Sequence, residues 1–284
     1  MKKQQAIVAG SGILILIIFY FFGNTVSPLK KPEAVASAPG TSQSLDIKTI
    51  LNAEKAKLSS AQQDYVNRLE NSVVRGNVRD QQIAADRQLA AFWKDSVENG
   101  FLAYAYYTGE AAKLENSEKS LTFAAQLFLN SLRGQENPAL KNWMANQSRN
   151  LFEQAELLNP GNDSTKIGLG ATYIFGSTGE QPADVMKGIQ KILEVTRRDS
   201  LNMYAQLMLG LGGIESGQFD KAIPRLLKVV HFDPGNLEAV LSLGDAYERT
   251  GDNVSAKRWY TNAKELTKNH ELINAINERL ASLK

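Results

Sequence analysis

Cysteine is absent from these 284 residues, and histidine occurs only twice. Without a thiol there is no disulfide framework, no thiolate nucleophile and no sulfur ligand for zinc. The two histidines, His231 and His270, fit no metal-ligand spacing. His231 falls at the end of a repeat helix, where an imidazole interacts favourably with the helix dipole, and His270 falls in an inter-repeat turn. The three tryptophans, Trp93, Trp143 and Trp259, sit in helical patterns and read as packing residues. Gly168-Leu169-Gly170 has the start of a nucleotide loop but lacks the third glycine. Acidic side chains are numerous, yet they lie scattered on solvated helix faces. No catalytic, cofactor or metal constellation is expected, and the reading is that of a protein that is not an enzyme.

A concentrated basic face is missing too. Lys2, Lys3, Lys30 and Lys31 are the only charged side chains of the first 32 residues. That leaves 28 of the 32 basic residues against all 30 acidic ones in the remainder. The small positive excess belongs to the N-terminal segment, so nucleic acid is not an expected partner.

That segment is a different material from the rest. Ala6–Phe22 is an uncharged run rich in Ile, Leu and Phe. A spanning helix needs about 17–25 apolar residues, so residues 1–23 are expected to form a single N-terminal transmembrane anchor. A cleaved signal peptide is the alternative, which would give a secreted periplasmic protein. The run exceeds the roughly 7–15 residues of a signal core, and the Ala-x-Ala sites at Ala34 and Ala36 lie well beyond it. Residues 24–44, with Pro28, Pro32 and Pro39 among serines and alanines, cannot build a core and read as a flexible linker. The lysines flanking the apolar run lean slightly towards an inside N-terminus. The expected placement is a single-pass inner-membrane protein with its large domain in the periplasm.

What the chain does have is a repeat. Leu-Gly occurs at Leu169–Gly170, Leu209–Gly210 and Leu243–Gly244, and the last two copies stand 34 positions apart. Gly217 with Gly251, Ala222 with Ala256, and Leu226 with Tyr260 keep the same offset. A period of 34 with small residues at matched places means stacked helical hairpins. Gly210 and Gly244 belong where two helices approach closely, with Ala222 and Ala256 as partner positions. Gly217 and Gly251 are expected to end a helix in the left-handed conformation. Pro234-Gly235-Asn236, like Pro160-Gly161-Asn162, makes an inter-repeat turn.

On these residues the chain resembles the tetratricopeptide (TPR) family, most closely over 203–270. Lys268 stands where proline is expected, and no unit has the signature tryptophan. The resemblance implies an all-α, right-handed superhelical α-solenoid of TPR hairpins. Three units span 163–202, 203–236 and 237–270, and the first carries extra residues in the loop Gly176–Pro182. Residues 77–162 read as degenerate repeats, with helices near Arg79–Val97, Phe101–Leu114, Ser120–Leu132 and Leu140–Leu158. A helical pair at 45–76 precedes them, its second helix opened by a capping box of Ser60 and Gln63. It either caps the solenoid or pairs with another copy to make a homodimer. Residues 271–284 form a last helix that closes the stack.

In this family the first helix of each unit lines a concave groove. Carried over, the candidate groove residues are Ile167, Ala171, Ile174, Phe175, Tyr204, Leu207, Leu211, Ile214, Leu241 and Asp245. An amphipathic helix or extended peptide of another protein is the implied ligand. The alternative is that a neighbouring helix of the same chain fills the groove. Chaperone-binding members hold a peptide carboxylate with Lys and Asn here; Leu207 and Leu211 occupy two of those places, so that activity is not implied. One span followed by helical repeats is also similar in plan to bacterial inner-membrane assembly factors, such as secretion-translocon subunits and cytochrome c maturation proteins. The expected function is a membrane-anchored scaffold or adaptor that binds partner proteins non-covalently.

Overall fold

In the computed structural model, which describes residues 45–75, 78–177 and 182–283, every regular element is an α-helix. The thirteen among the described residues are α1 (Ile47–Ala56), α2 (Ser60–Arg75), α3 (Arg79–Asp95), α4 (Phe101–Glu115), α5 (Glu118–Leu132), α6 (Pro138–Leu158), α7 (Asp163–Phe175), α8 (Pro182–Arg198), α9 (Met203–Glu215), α10 (Phe219–Phe232), α11 (Leu237–Arg249), α12 (Asn253–Leu266) and α13 (His270–Ser282). The expected anchor at 1–23 and linker at 24–44 lie outside the described residues, as does most of the extra loop, 178–181. No helix among the described residues is long and apolar enough to cross a membrane.

The helices pair in chain order: α3 with α4, α5 with α6, α7 with α8, α9 with α10, and α11 with α12. Each pair then packs on the next, which is the geometry of stacked hairpins. Asparagine starts each of the last three first helices and the closing one. Asn162, Asn202, Asn236 and Asn269 accept backbone N–H bonds from the first turns of α7, α9, α11 and α13. Such a cap satisfies donors that the helix itself cannot reach. Gly217 and Gly251 have φ +71° and +81°, with open space where a Cβ would stand. They are glycine for the backbone angle alone. Gly210 and Gly244 are glycine for the opposite reason. A Cβ there would lie 2.8 Å from Leu226 Cδ2 and 2.6 Å from Tyr260 Cε1 of the partner helix.

Several boundaries differ from the sequence expectation. The capping box of α2 is Ser59 with Gln62, one residue earlier than Ser60 with Gln63. Ser59 N–H donates to Gln62 Oε1 at 3.0 Å, and the Gln62 N–H donates to Ser59 Oγ at 3.4 Å. Helix α5 begins at Glu118, capped by Ser117. Helix α6 begins at Pro138, which follows the Asn137 cap and needs no backbone donor in the first turn. His270, placed in a turn by sequence, is the first residue of α13.

Two apolar cores meet at α4. One runs from Ala105 to Leu283 through every later hairpin. The other joins Leu51, Val66, Leu89, Trp93, Ala103 and Tyr107. The 45–76 pair therefore places apolar side chains of both its helices against its own chain. Lys55 Nζ ties α1 to α2 through Glu70 Oε2 at 2.7 Å, and the Tyr107 hydroxyl ties α4 to the same carboxylate at 2.8 Å. At the other end Ile276 and Leu283 are buried against the core, so α13 covers the last hairpin.

Candidate functional site

The first helices α5, α7, α9 and α11 stand side by side, α5 against α7, α7 against α9, and α9 against α11. The groove residues carried over from the family are mostly inside the protein. Ile167 and Ala171 have no exposed surface, and Ile174, Phe175, Leu207 and Leu211 are also buried. Helix α7 is buried on all sides from Ile167 to Phe175, and α9 from Ala205 to Gly212. A helix buried around most of its circumference lies largely inside the stack, and little of it is left to line an opening. Tyr204, Ile214 and Leu241 are half-buried and pack against the core.

Side chains bridge this face. The Tyr204 hydroxyl donates to Gln126 Oε1 of α5 at 3.1 Å, and burial raises the affinity of that phenol for its proton. Arg133, just past the end of α5, pairs with Glu238 on α11, and its guanidinium carbon lies 5.5 Å from the centre of the Phe175 ring. What stays open is a cleft of about 390 Å³ on which Phe175, Tyr204, Leu207 and Leu211 converge beneath Arg133 and Glu238.

Asp245 belongs to an internal network. The Tyr260 hydroxyl lies 2.6 Å from both Asp245 Oδ1 and Glu248 Oε2, and Arg279 of α13 donates to Glu248 Oε2 at 2.9 Å. These bonds seat the closing helix on the last hairpin.

A more apolar opening lies where sequence reasoning did not look. Helix α8 packs less extensively on α9 than α6 does on α7 or α10 on α11. Between α8 and α10, with α9 as floor, is a cleft of about 620 Å³. Met186, Ile189 and Leu193 line one wall, Pro224 and Arg225 the other, and Ile174 and Leu209 the base. Met186 is 54% exposed, a large apolar side chain held towards solvent. Among the described residues, Lys221 and Arg225 are the only charged ones that line it. Burial lowers the proton affinity of Arg225, whose guanidinium donates to Gln206 Oε1 at 2.9 Å. A neighbouring hollow of about 690 Å³ shares Ile174, Gly212 and Ser216 with the cleft and includes Ser177 and Val185, which bracket the extra loop. Of the predicted residues only Ile174 reaches this region. The cleft's signal in the sequence was the i, i+3, i+7 stripe Met186, Ile189, Leu193 on α8, directly after the extra loop.

Among the described residues no group of three or more His, Asp or Glu side chains is placed to hold a metal ion. His231 and His270 are exposed at helix ends.

The fold defines a class, the stacked-hairpin solenoid of TPR proteins. TTC0263, a thermophilic TPR protein of Thermus thermophilus, is similar over 72% of this chain and 100% of its own, with a TM-score of 0.54 and 16% identity. At that identity the likeness concerns the fold alone. Weaker likenesses, which carry no argument for this chain, include YrrB, described as a TPR protein with an unusual peptide-binding site (TM-score 0.42, 15% identity, 74% of this chain and 97% of that one). MamA is another (TM-score 0.41, 17% identity, 65% and 91%). No family model matches the sequence, and no curated protein matches it.

Proposed function

We propose that this protein is a membrane-anchored scaffold that binds a partner protein or peptide non-covalently, as an adaptor or assembly factor. It carries out no catalytic step of its own. The observation that carries the reading is the apolar cleft between α8 and α10, with Met186 exposed at its wall and no acidic side chain among the described residues lining it. An open cavity walled by apolar side chains with a few polar groups at its edge is the form of a ligand site. Apolar surface left in water is a cost that bound partner surface removes. The ligand that fits is an amphipathic helix or extended segment whose apolar residues enter the cleft and whose acidic residues meet Lys221 and Arg225.

The anchor rests on the sequence of Ala6–Phe22, flanked by Lys2, Lys3, Lys30 and Lys31. In this reading it is a single-pass helix of a bacterial inner membrane, with the repeat domain on the periplasmic side and residues 24–44 as tether.

Two variants of the full chain test the two halves separately. Removing residues 1–23 should move the protein from the membrane fraction to the soluble one. Met186→Glu should leave it in the membrane, folded, with partner retention reduced about tenfold or more. A truncated chain that stays in the membrane would overturn the anchor. Partner retention unchanged by Met186→Glu would overturn the cleft.

A further inference from the structure

The N-terminal module holds a second cavity, of about 470 Å³, lined by side chains of α1 to α4. Three carboxylates line it: Glu70 on α2, Asp86 on α3 and Glu110 on α4. Two of them have a lysine partner within the chain. Glu70 accepts from the Tyr107 hydroxyl at 2.8 Å and from Lys55 Nζ at 2.7 Å. Glu110 accepts from Lys113 Nζ at 2.7 Å, and the same ammonium also donates to Gln147 at 3.2 Å. Asp86 is different. It is only 3% exposed, and no donor among the described residues makes a hydrogen bond to its carboxyl.

A buried carboxylate with no partner is costly, and chains keep such groups where a ligand completes them. Burial first, and then the charge of Glu110, push the Asp86 carboxyl up to about 7. The same surroundings hold the Tyr106 phenol at about 12 and push the Tyr107 phenol higher still, burial again being the main cause. The cavity thus disfavours added negative charge on the aspartate and on both tyrosines of its wall. It is also apolar in part, with Leu51, Leu89 and Leu114 beside the tyrosines.

We propose that this cavity binds an organic cation, an alkylammonium or alkylguanidinium group, with its charged head on Asp86 and Glu110 and its alkyl stem along Leu51, Leu89 and Tyr106. The chemistry is that of a lysine or arginine side chain, or of a free polyamine. A carboxylate in a low-dielectric pocket gains far more from a cation than one in water does. The site is separate from the α8–α10 cleft and does not rest on the scaffold reading.

The probes are n-butylammonium and n-butylguanidinium, with n-butanol as the neutral control, titrated calorimetrically into the full chain in detergent micelles at pH 8. The cations should bind saturably and the alcohol should not. Asp86→Asn should weaken cation binding at least about tenfold, as removal of one partner of a buried charge pair does. In this variant the penalty of a buried charge is gone, so it should melt no lower than the parent at pH 8, which separates lost binding from lost folding.

Protons compete for the same carboxyl. Its folded value lies above the unfolded one, so from pH 8 to pH 6 the Asp86 carboxylate fills with protons and cation affinity should fall about tenfold. Among the described residues, the other charges lining the cavity with Asp86 are Lys48 from α1, Glu70 from α2, and Glu110 with Lys113 from α4. Lys48 is exposed, and its replacement by Gln should leave binding intact or stronger. Equal binding of alcohol and ammonium, or full binding by Asp86→Asn, would overturn the site. Spermidine and a peptide with one central lysine between alanines then identify the source. Tighter binding of the peptide points to a protein partner, and tighter binding of spermidine to a free amine.

Discussion

Glycine is used in distinct ways along this chain, and the differences are measurable. Gly251 is required by its backbone angle, since a Cβ there would meet nothing within 4 Å. Gly244 makes room for the Tyr260 ring. Gly170, at the matching place of its own repeat, is confined by backbone as well. Its Cβ would stand 2.6 Å from Ile192 Cγ1 and 2.7 Å from the backbone oxygen of Gly188, which cannot rotate away. Gly170→Ala should therefore cost about 3 kcal/mol, the upper end for overpacking. Gly251→Ala, which suffers only from a left-handed angle, should cost about 1 kcal/mol. Urea denaturation of both variants checks the order, and a larger loss for Gly251→Ala would contradict the packing account. These residues were legible because small side chains at a fixed period leave a pattern. Asp86 was not. It lies on α3, where the repeat signature has decayed, and nothing in the run Arg79–Asp95 separates it from the exposed acids around it. Only the fold shows that α1, α2 and α4 close over it.

Helix boundaries follow local chemistry, and most were readable from it. The asparagine caps at 162, 202, 236 and 269 mark four helix starts that the Leu-Gly pattern alone left approximate. The closing helix α13 shows how an element is held by few bonds. Arg279 reaches Glu248 and Asp245, while Ile276 and Leu283 supply the buried surface. The hydrogen bond from Tyr260, and then Arg279, holds the Glu248 carboxyl below the usual carboxylate range. A group depressed on folding stabilises above its unfolded value, and that contribution disappears as the pH falls through the folded value. Docking of α13 should therefore weaken below about pH 4. At pH 7, Arg279→Ala should lower hydrogen-exchange protection of residues 270–282 by about two- to fivefold, the range of a partly exposed ion pair. Protection of α7 should not change. Equal loss in α7 would mean that Arg279 supports the whole stack and not its last element.

At the scale of the molecule, the repeat period led to an all-helical stack of hairpins, and the family's groove positions fall mostly on buried side chains. The reason is visible in α7 and α9, which are buried from Ile167 to Phe175 and from Ala205 to Gly212. The bridges from Tyr204 to Gln126 and from Arg133 to Glu238 join first helices that are not neighbours in sequence. No pattern within one repeat encodes such a contact. The α8–α10 cleft depends likewise on how two successive units sit together, and in the unit with the extra loop the second helix packs less closely on the next unit than α6 does on α7 or α10 on α11. The central claim is that this cleft receives a partner. Its most direct test is a photocrosslinking residue at position 186 in the full chain in living cells, with one at the exposed position 257 as control, followed by mass spectrometry. The account predicts a discrete adduct to another protein from 186 and none from 257. Adducts from 186 only to the chain's own helices, or the same diffuse adducts from both positions, would contradict it.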